Sequence, residues 1–196
     1  MIKRKLLIIV LFLPVLLSSQ NFDIDLLRKI NLNRNKNLDG VFKGITNSTA
    51  PVAIGVPVVL FGYGLLKKDS VTKYNGMYIG ASVIVASGTS YLLKYIVNRP
   101  RPYVTYPDID NVTSEGSPSF PSNHTSAAFG LATSVSIVYP KWYIIAPSYI
   151  WAGAVGYSRM DLGVHYPSDV LMGALIGAGS AYLCYKGQQW LYKKKH

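Results

Sequence analysis

Apolar residues along this chain come in long blocks that short polar turns separate. After the first 50 residues there are five such blocks, at 51–66, 77–97, 125–139, 142–157 and 170–185. An α-helix needs about 20 predominantly apolar residues to cross a bilayer. Several of the blocks are shorter, so we expect their helices to extend into the polar residues on either side. The pattern predicts an all-α, polytopic membrane bundle with five spanning helices.

The first 50 residues have a different pattern. Residues 1–20 carry a basic head, an apolar run and a Ser-Ser-Gln end, as a secretory signal peptide does. A retained signal anchor, which would add a sixth span, stays open as the alternative, and both place residue 21 outside the cytoplasm. Residues 21–50 mix apolar and charged positions like an amphipathic extracytoplasmic helix at the membrane surface. A docking helix without a functional role is the simplest interpretation. The Asn-rich stretch 31–40 predicts a turn.

The charge distribution supports this topology. Hydrophobic residues make up 49% of the chain and charged residues 15%, while the formal net charge is +11. Positive residues between spans favour the cytoplasmic side of a membrane. Counted from an outer residue 21, Lys67, Lys68 and Lys141 fall in cytoplasmic turns. Residues 51–187 then form the membrane domain and 188–196 a basic cytoplasmic tail. No basic helix with interleaved aromatic residues occurs, which argues against nucleic acid as a partner.

Three polar clusters fall at the predicted outer ends of the spans. The first contains Lys94, Arg99 and Arg101, and Pro100 and Pro102 make the chain leave the helix there. Basic residues in such places often extend to lipid head groups. The outer face is, however, the wrong side for the positive-inside rule. We therefore expect a guanidinium to turn back over a pocket, although the residue types do not select which arginine does so.

The second cluster, Pro121-Ser122-Asn123-His124, comes directly before the third apolar block. Ser122 is a good helix N-cap, and the free N–H groups of the helix start can then face an anion. His124 falls in the first turn of this helix. A capping serine beside a histidine at the head groups is the simpler interpretation of this cluster taken alone.

The third cluster runs from Ser158-Arg159 to His165 and Asp169. A helix that starts near these last residues would bring the Asp169 carboxylate to the His165 imidazole. This contact would fix the tautomer and leave the other ring nitrogen nucleophilic, although Asp169 could instead interact only with the helix dipole. Two histidines can divide phosphoryl transfer, one attacking phosphorus and the other protonating the leaving oxygen. The surrounding cations would hold phosphate oxygens and repel zinc, so we expect no metal.

Together the three clusters resemble the signature of the type 2 phosphatidic acid phosphatase family, within the acid phosphatase and vanadium haloperoxidase superfamily. That signature has three motifs, Lys-x6-Arg-Pro, Pro-Ser-Gly-His and Ser-Arg-x5-His-x3-Asp. The chain matches the first motif from Lys94 and the third from Ser158, with the same spacings. The second motif carries Asn123 in place of glycine, and Arg99 lies outside the signature.

The resemblance implies a role for each matched residue. His165 corresponds to the nucleophile that forms a phosphohistidine, Asp169 to its orienting partner, and His124 to the general acid for the leaving group. The residues that would bind the substrate phosphate are Lys94, Arg101, Ser122, Asn123 and Arg159. The Asn123 side chain could crowd the pocket, which would affect the fit of the substrate more than catalysis.

The resemblance also implies an integral membrane lipid phosphatase that hydrolyses phosphomonoester or diphosphate groups without any cofactor. Undecaprenyl diphosphate is the first expected substrate, and lipid A and phosphatidylglycerol phosphate are the alternatives. The signal-like N-terminus and compact size suggest a bacterial inner membrane, with the site facing the periplasm or exterior. Two other classes stay open: a non-catalytic lipid-phosphate binding or transport protein, and a vanadate-dependent haloperoxidase, which shares the motifs. Nothing in the sequence indicates an oligomeric state.

Overall fold

The computed structural model describes residues 21–193, and no strand occurs among them. Helix α1 covers 21–31, and a short 3-10 turn covers Lys36–Leu38. The remaining helices are α2 (Asp39–Asn47), α3 (Thr49–Leu66), α4 (Ser70–Val97), α5 (Pro102–Thr105), α6 (Asn123–Val138), α7 (Trp142–Asp161) and α8 (Pro167–Lys193). The predicted signal peptide or anchor at 1–20, and residues 194–196 of the predicted tail, lie outside the described residues.

The five predicted apolar blocks coincide with α3, α4, α6, α7 and α8. As expected from their short apolar lengths, these helices extend into polar flanks: α4 begins at Ser70 and α7 continues to Asp161. Within the described part of the chain, two helical stretches are long and apolar enough to cross a membrane, Lys36–Leu66 and Ser70–Thr105. Because residues 21–193 form helices and no strand, the all-α prediction is confirmed.

Helix α6 occupies the centre of the bundle, where it packs against α4, α7 and α8. The contact with α8 is close because glycines of α8 face the backbone of α6. A Cβ atom added to Gly177 would lie 2.4 Å from the Ser126 carbonyl oxygen, and one added to Gly173 would lie 2.6 Å from that of Ser122. The spacing of these two glycines is typical of such close helix packing. It brings the N-terminal ends of α6 and α8 together.

The outward faces of the long helices are apolar. Ile54 and Val58 on α3, Ile84 and Ile96 on α4 and Ile150 on α7 are between 62% and 76% exposed. A soluble protein would bury most such side chains, whereas the hydrocarbon of a bilayer solvates them. The surface chemistry is therefore that of a bundle embedded in lipid.

The polar turns are sorted to the two ends of the bundle. The α3–α4 turn precedes the start of α4 and the α6–α7 turn follows the end of α6, whereas the other ends of these two helices carry Lys94 and Ser122 of the polar clusters. These two turns, which carry Lys67 and Lys141, therefore lie at one end. The C-terminal ends of α4 and α7 and the N-terminal ends of α6 and α8 lie at the opposite end, together with the three polar clusters.

Helix α1 is packed onto that second end. It buries Ile24 and Leu27 in one apolar cluster with Ile109 and Tyr166. The buried Asn31 side chain donates hydrogen bonds to the carbonyl oxygens of Asp110 and Asp161 at 2.9 and 2.8 Å. The amphipathic pattern thus corresponds to a helix whose apolar face contacts protein.

The turn predicted at 31–40 is shorter than expected. Helix α1 ends at 31, but α2 begins at Asp39, so the Asp39-Gly40 pair forms the first turn of a helix. An aspartate at a helix N-terminus interacts favourably with the helix dipole. The Asp39 carboxylate is also bound by Arg34, with 3.0 Å between Oδ1 and Nε. The last part of the prediction was therefore wrong.

Candidate active site

The three sequence clusters converge at one end of the bundle. Lys94 Nζ, near the end of α4, donates to the carbonyl oxygens of Pro118 and Ser119 at 2.6 and 3.2 Å, just before the second cluster. The Ser122 N–H donates to the Asp169 carbonyl oxygen at 3.0 Å, which joins the second cluster to the third. A single polar centre is therefore built from residues that are up to 75 positions apart in the sequence, from Lys94 to Asp169.

His165 and Asp169 form a buried pair. Asp169 Oδ2 lies 3.3 Å from His165 Nδ1, and it also accepts hydrogen bonds from the Tyr166 N–H at 3.1 Å and from Ser119 Oγ. Burial lowers the pKa of His165 to about 3, although Asp169 opposes this shift. The imidazole is therefore neutral near pH 7. A proton on Nδ1 facing the carboxylate leaves the lone pair on Nε2.

Arg101 lies beside that second nitrogen. One of its Nη atoms is 3.3 Å from His165 Nε2 and donates to the Val164 carbonyl oxygen at 2.9 Å. Arg101 Nε donates to the Ser117 carbonyl oxygen at 2.8 Å. These carbonyl contacts hold the buried guanidinium next to the histidine without neutralising its charge.

Arg159 is the second buried guanidinium of the site. Its Nη1 donates to Thr46 Oγ1 at 2.8 Å, and its Nη2 forms an ion pair with the Glu115 carboxylate. Its Nε has no hydrogen-bond partner among the described residues. The other Glu115 oxygen lies 4.0 Å from Arg101 Nη2. A carboxylate of the protein itself therefore lies between two guanidiniums, where a phosphate oxygen would meet the same charges.

The start of α6 follows the predicted capping arrangement. Ser122 is the N-cap, and its Oγ accepts hydrogen bonds from Thr125 N at 3.5 Å and Thr125 Oγ1 at 2.9 Å. Its own hydroxyl hydrogen is left for donation. Asn123 is the first residue of α6, and its Oδ1 is buried with no partner in the part of the chain that the structure describes. The N-terminal end of α6 therefore lies at the cationic centre.

His124, in the first turn of α6, is half-buried in the same centre. The charged groups that act on its imidazole are those of Arg159, Glu115, Lys94 and Arg101. All of the predicted site residues are thus brought to one place, and Arg159 and Arg101 act on both histidines.

Three residues of this centre were not predicted from the sequence, and Arg99 was predicted only as an alternative to Arg101. Arg99, left undecided against Arg101, also points inward, but it binds Asp169 Oδ1 at 2.8 Å and Asp23 Oδ2 at 2.7 Å. Glu115 and Ser119 come from the loop between the first two motifs, and Asp23 comes from α1. No signal in a single sequence marks these residues, because isolated Ser, Asp and Glu in polar stretches are common.

Several known proteins are similar to this chain. The chain is 30% identical over 148 residues to undecaprenyl-diphosphatase BcrC of Bacillus subtilis, covering 74% of this chain and 72% of the relative. It is 28% identical to an undecaprenyl-diphosphatase of Sulfolobus acidocaldarius, covering 90% and 84%. The crystal structure of Aquifex aeolicus LpxE has a TM-score of 0.73 at 28% identity, covering 84% of this chain and 95% of that one. The family model of the PAP2 superfamily matches residues 75–193, and the chain therefore belongs to this superfamily of type 2 phosphatidic acid phosphatases.

Proposed function

We propose that this membrane lipid phosphatase hydrolyses undecaprenyl diphosphate to undecaprenyl phosphate and inorganic phosphate through a phosphohistidine on His165. The observation that carries the proposal is the buried His165–Asp169 pair. It lies beside two guanidiniums that have the Glu115 carboxylate between them. The two undecaprenyl-diphosphatases support the choice of substrate, since the similarity covers more than two thirds of each of them.

The first step transfers the terminal phosphoryl group to His165. Phosphate oxygens replace the Glu115 carboxylate on Arg159 and Arg101, and Lys94 adds a third positive charge. The lone pair of His165 Nε2 attacks phosphorus, and the bond from phosphorus to the leaving oxygen breaks. His124, in its protonated form, donates a proton to that oxygen. Asp169 stabilises the cationic ring through the Nδ1 proton.

The second step regenerates the enzyme. His124, now neutral, takes a proton from a water molecule whose oxygen attacks phosphorus. The bond between phosphorus and Nε2 breaks, its electron pair returns to His165, and inorganic phosphate leaves. The guanidiniums of Arg101 and Arg159 stabilise the charge on the phosphoryl oxygens in both transition states. Ser122 Oγ and the N–H of Asn123 act as further donors to the phosphate at the helix start.

The same proposal includes a membrane topology. We assign α3, α4, α6, α7 and α8 as five spans of a 51–187 membrane domain, after a signal peptide or anchor at 1–20. Lys67 and Lys141 lie at the end opposite the site, which supports a cytoplasmic position for those turns. The site then faces the periplasm or exterior of a bacterial inner membrane, and residues 21–50 form an extracytoplasmic segment over it. The basic tail 188–196 lies in the cytoplasm.

A phosphate-release panel tests this function. Purified protein in detergent micelles is given undecaprenyl diphosphate, lipid A, phosphatidylglycerol phosphate and phosphatidic acid, each with and without EDTA. We expect the highest kcat/KM for undecaprenyl diphosphate and no effect of EDTA. The His165→Ala variant should release no phosphate, although its thermal unfolding should match that of the wild type. A higher kcat/KM for lipid A or phosphatidylglycerol phosphate would show that this lipid, rather than undecaprenyl diphosphate, is the preferred substrate. Saturable lipid binding without any phosphate release would instead favour a binding or transport protein.

A further inference from the structure

The N-terminal helix α1 reaches the active site through one buried carboxylate. Asp23 is 5% exposed. Its Oδ1 accepts a hydrogen bond from the Ser168 backbone N–H at 2.8 Å, and its Oδ2 accepts from Ser168 Oγ and from Arg99 Nη2. Asp23 therefore acts as a cap for the first turn of α8, the helix that carries Asp169, although it lies 145 residues earlier in the chain than Ser168.

Arg99 connects this carboxylate to the catalytic one. Its Nη2 lies 2.7 Å from Asp23 Oδ2 and its Nη1 lies 2.8 Å from Asp169 Oδ1. The guanidinium also stacks over the Tyr166 ring, with 3.6 Å from its Cζ to the ring centroid. A planar guanidinium that is held on two sides and stacked on a third has little freedom to rotate. Its position is therefore determined jointly by α1, by the loop that carries His165 and by the first turn of α8, where Ser168 Oγ also accepts from Arg99 Nη1 at 2.7 Å.

The two oxygens of Asp169 have different partners. Oδ2 accepts hydrogen bonds from Ser119 Oγ and the Tyr166 N–H and lies against His165 Nδ1, whereas Oδ1 accepts from the Arg99 guanidinium. The orientation of the carboxylate towards His165 therefore depends on Arg99. The charge balance depends on it too. Because Arg99 shares its positive charge between two carboxylates, Asp169 keeps negative charge with which to stabilise a cationic imidazole.

We propose that Asp23 is a positioning residue for phosphoryl transfer, which acts through Arg99 to orient Asp169 and to preserve its negative charge. The inference rests on the phosphohistidine reaction proposed above. Asp23 lies outside residues 75–193, the part of the chain that the superfamily model matches. Helix α1 is thus a working part of the site in this protein rather than a docking helix without a role.

Asp23→Asn tests this proposal against a matched control on the same helix. Asp25→Asn makes the same change in charge two residues later, but Asp25 is exposed and its ion pair is with Arg28 at 3.6 Å. We expect kcat to fall about tenfold or more in Asp23→Asn, because misplacing a reacting group by about 1 Å can lower the rate by up to about 100-fold. KM should change less than about twofold, because Asp23 does not touch the substrate. Asp25→Asn should match the wild type in both constants.

A double-mutant cycle with Arg99→Gln tests whether the effect passes through Arg99. If it does, adding Asp23→Asn to Arg99→Gln should lower kcat little further. Independent, multiplying effects would overturn the proposal, and so would an Asp23→Asn variant with wild-type kcat. A rise in KM with unchanged kcat would overturn it as well. If the wild type itself releases no phosphate from any lipid of the panel, the proposed function fails instead. Thermal unfolding of each variant separates loss of fold from loss of positioning.

Discussion

Glu115 offers the sharpest perturbation of the phosphate-binding site. Its carboxylate pairs with Arg159 and lies 4.0 Å from Arg101. These are the two guanidiniums that would bind a substrate phosphate. Burial raises the pKa of the Glu115 carboxyl, but Arg159 outweighs this effect and holds the pKa below its usual value. Glu115 is therefore ionised near neutral pH and competes with phosphate. Glu115→Gln keeps the shape of the side chain and removes the competing charge.

The expected size of the effect follows from the strength of that ion pair. A hydrogen bond to a charged group contributes about 1.5–3 kcal/mol. The Glu115 side chain is 27% exposed, so solvent screening reduces its share, and we take about 1–2 kcal/mol as the competition that a phosphate must overcome. This corresponds to a decrease of about 5- to 30-fold in the dissociation constant for phosphate in Glu115→Gln.

Product inhibition measures this change directly. The inhibition constant of inorganic phosphate and the KM for the lipid are determined for the wild type, for Glu115→Gln and for Asp108→Asn. Asp108 lies in the same loop region but pairs with Arg28 at 2.8 Å, so its variant is the control and should behave like the wild type. Unchanged or weaker inhibition by phosphate in Glu115→Gln would refute the reasoning, because Glu115 would then not compete for the guanidiniums.

Three further outcomes follow from the same structure. His124→Ala should lower the rate of the phosphoryl-transfer step, measured in a single turnover, by about 100-fold or more on phosphatidic acid, whose leaving alkoxide needs a proton, but much less on p-nitrophenyl phosphate, whose leaving group needs none; equal losses of this step on both would argue against a general acid. Gly177→Ala should lower the free energy of unfolding by about 1–3 kcal/mol, because the added Cβ would lie 2.4 Å from the α6 backbone. The control Gly179→Ala should leave it unchanged, because a Cβ there has no atom within 4 Å. Equal thermal unfolding of the two variants would contradict the packing. Ser119→Ala removes one donor to Asp169 Oδ2 and should reduce kcat with KM nearly unchanged, and a selective rise in KM would show a role in binding instead.

Much of the fold could be predicted because the relevant information is local in the sequence. Apolar length alone marks the helices, and the basic turns at Lys67 and Lys141 are placed at the end opposite the three polar clusters. The spacing from His165 to Asp169 predicted their contact, since four residues make one turn where a helix begins. Capping chemistry likewise identified Ser122 as the N-cap of α6.

The rest of the site depends on contacts between distant segments. Asp23 and Glu115 are single acidic residues in polar stretches, and no local pattern distinguishes them from solvated carboxylates. The choice between Arg99 and Arg101 was open because both can leave the end of α4 in the same direction. The structure gives each a different partner, Asp169 for Arg99 and the His165 ring for Arg101. Hydrophobic periodicity in 21–31 also could not reveal whether lipid or protein covers the apolar face.

Trapping the covalent intermediate tests the central claim most directly. His124→Ala is mixed with p-nitrophenyl phosphate, so that the phosphoryl group can be transferred while water attack is slowed. The reaction is quenched in base, where phosphohistidine survives, and the digested protein is analysed by mass spectrometry. We predict one added phosphoryl group on the peptide that contains His165, located on that residue, and none in the His165→Ala/His124→Ala variant. A phosphoryl group on another residue, or steady turnover with no protein-bound phosphate, would contradict the account.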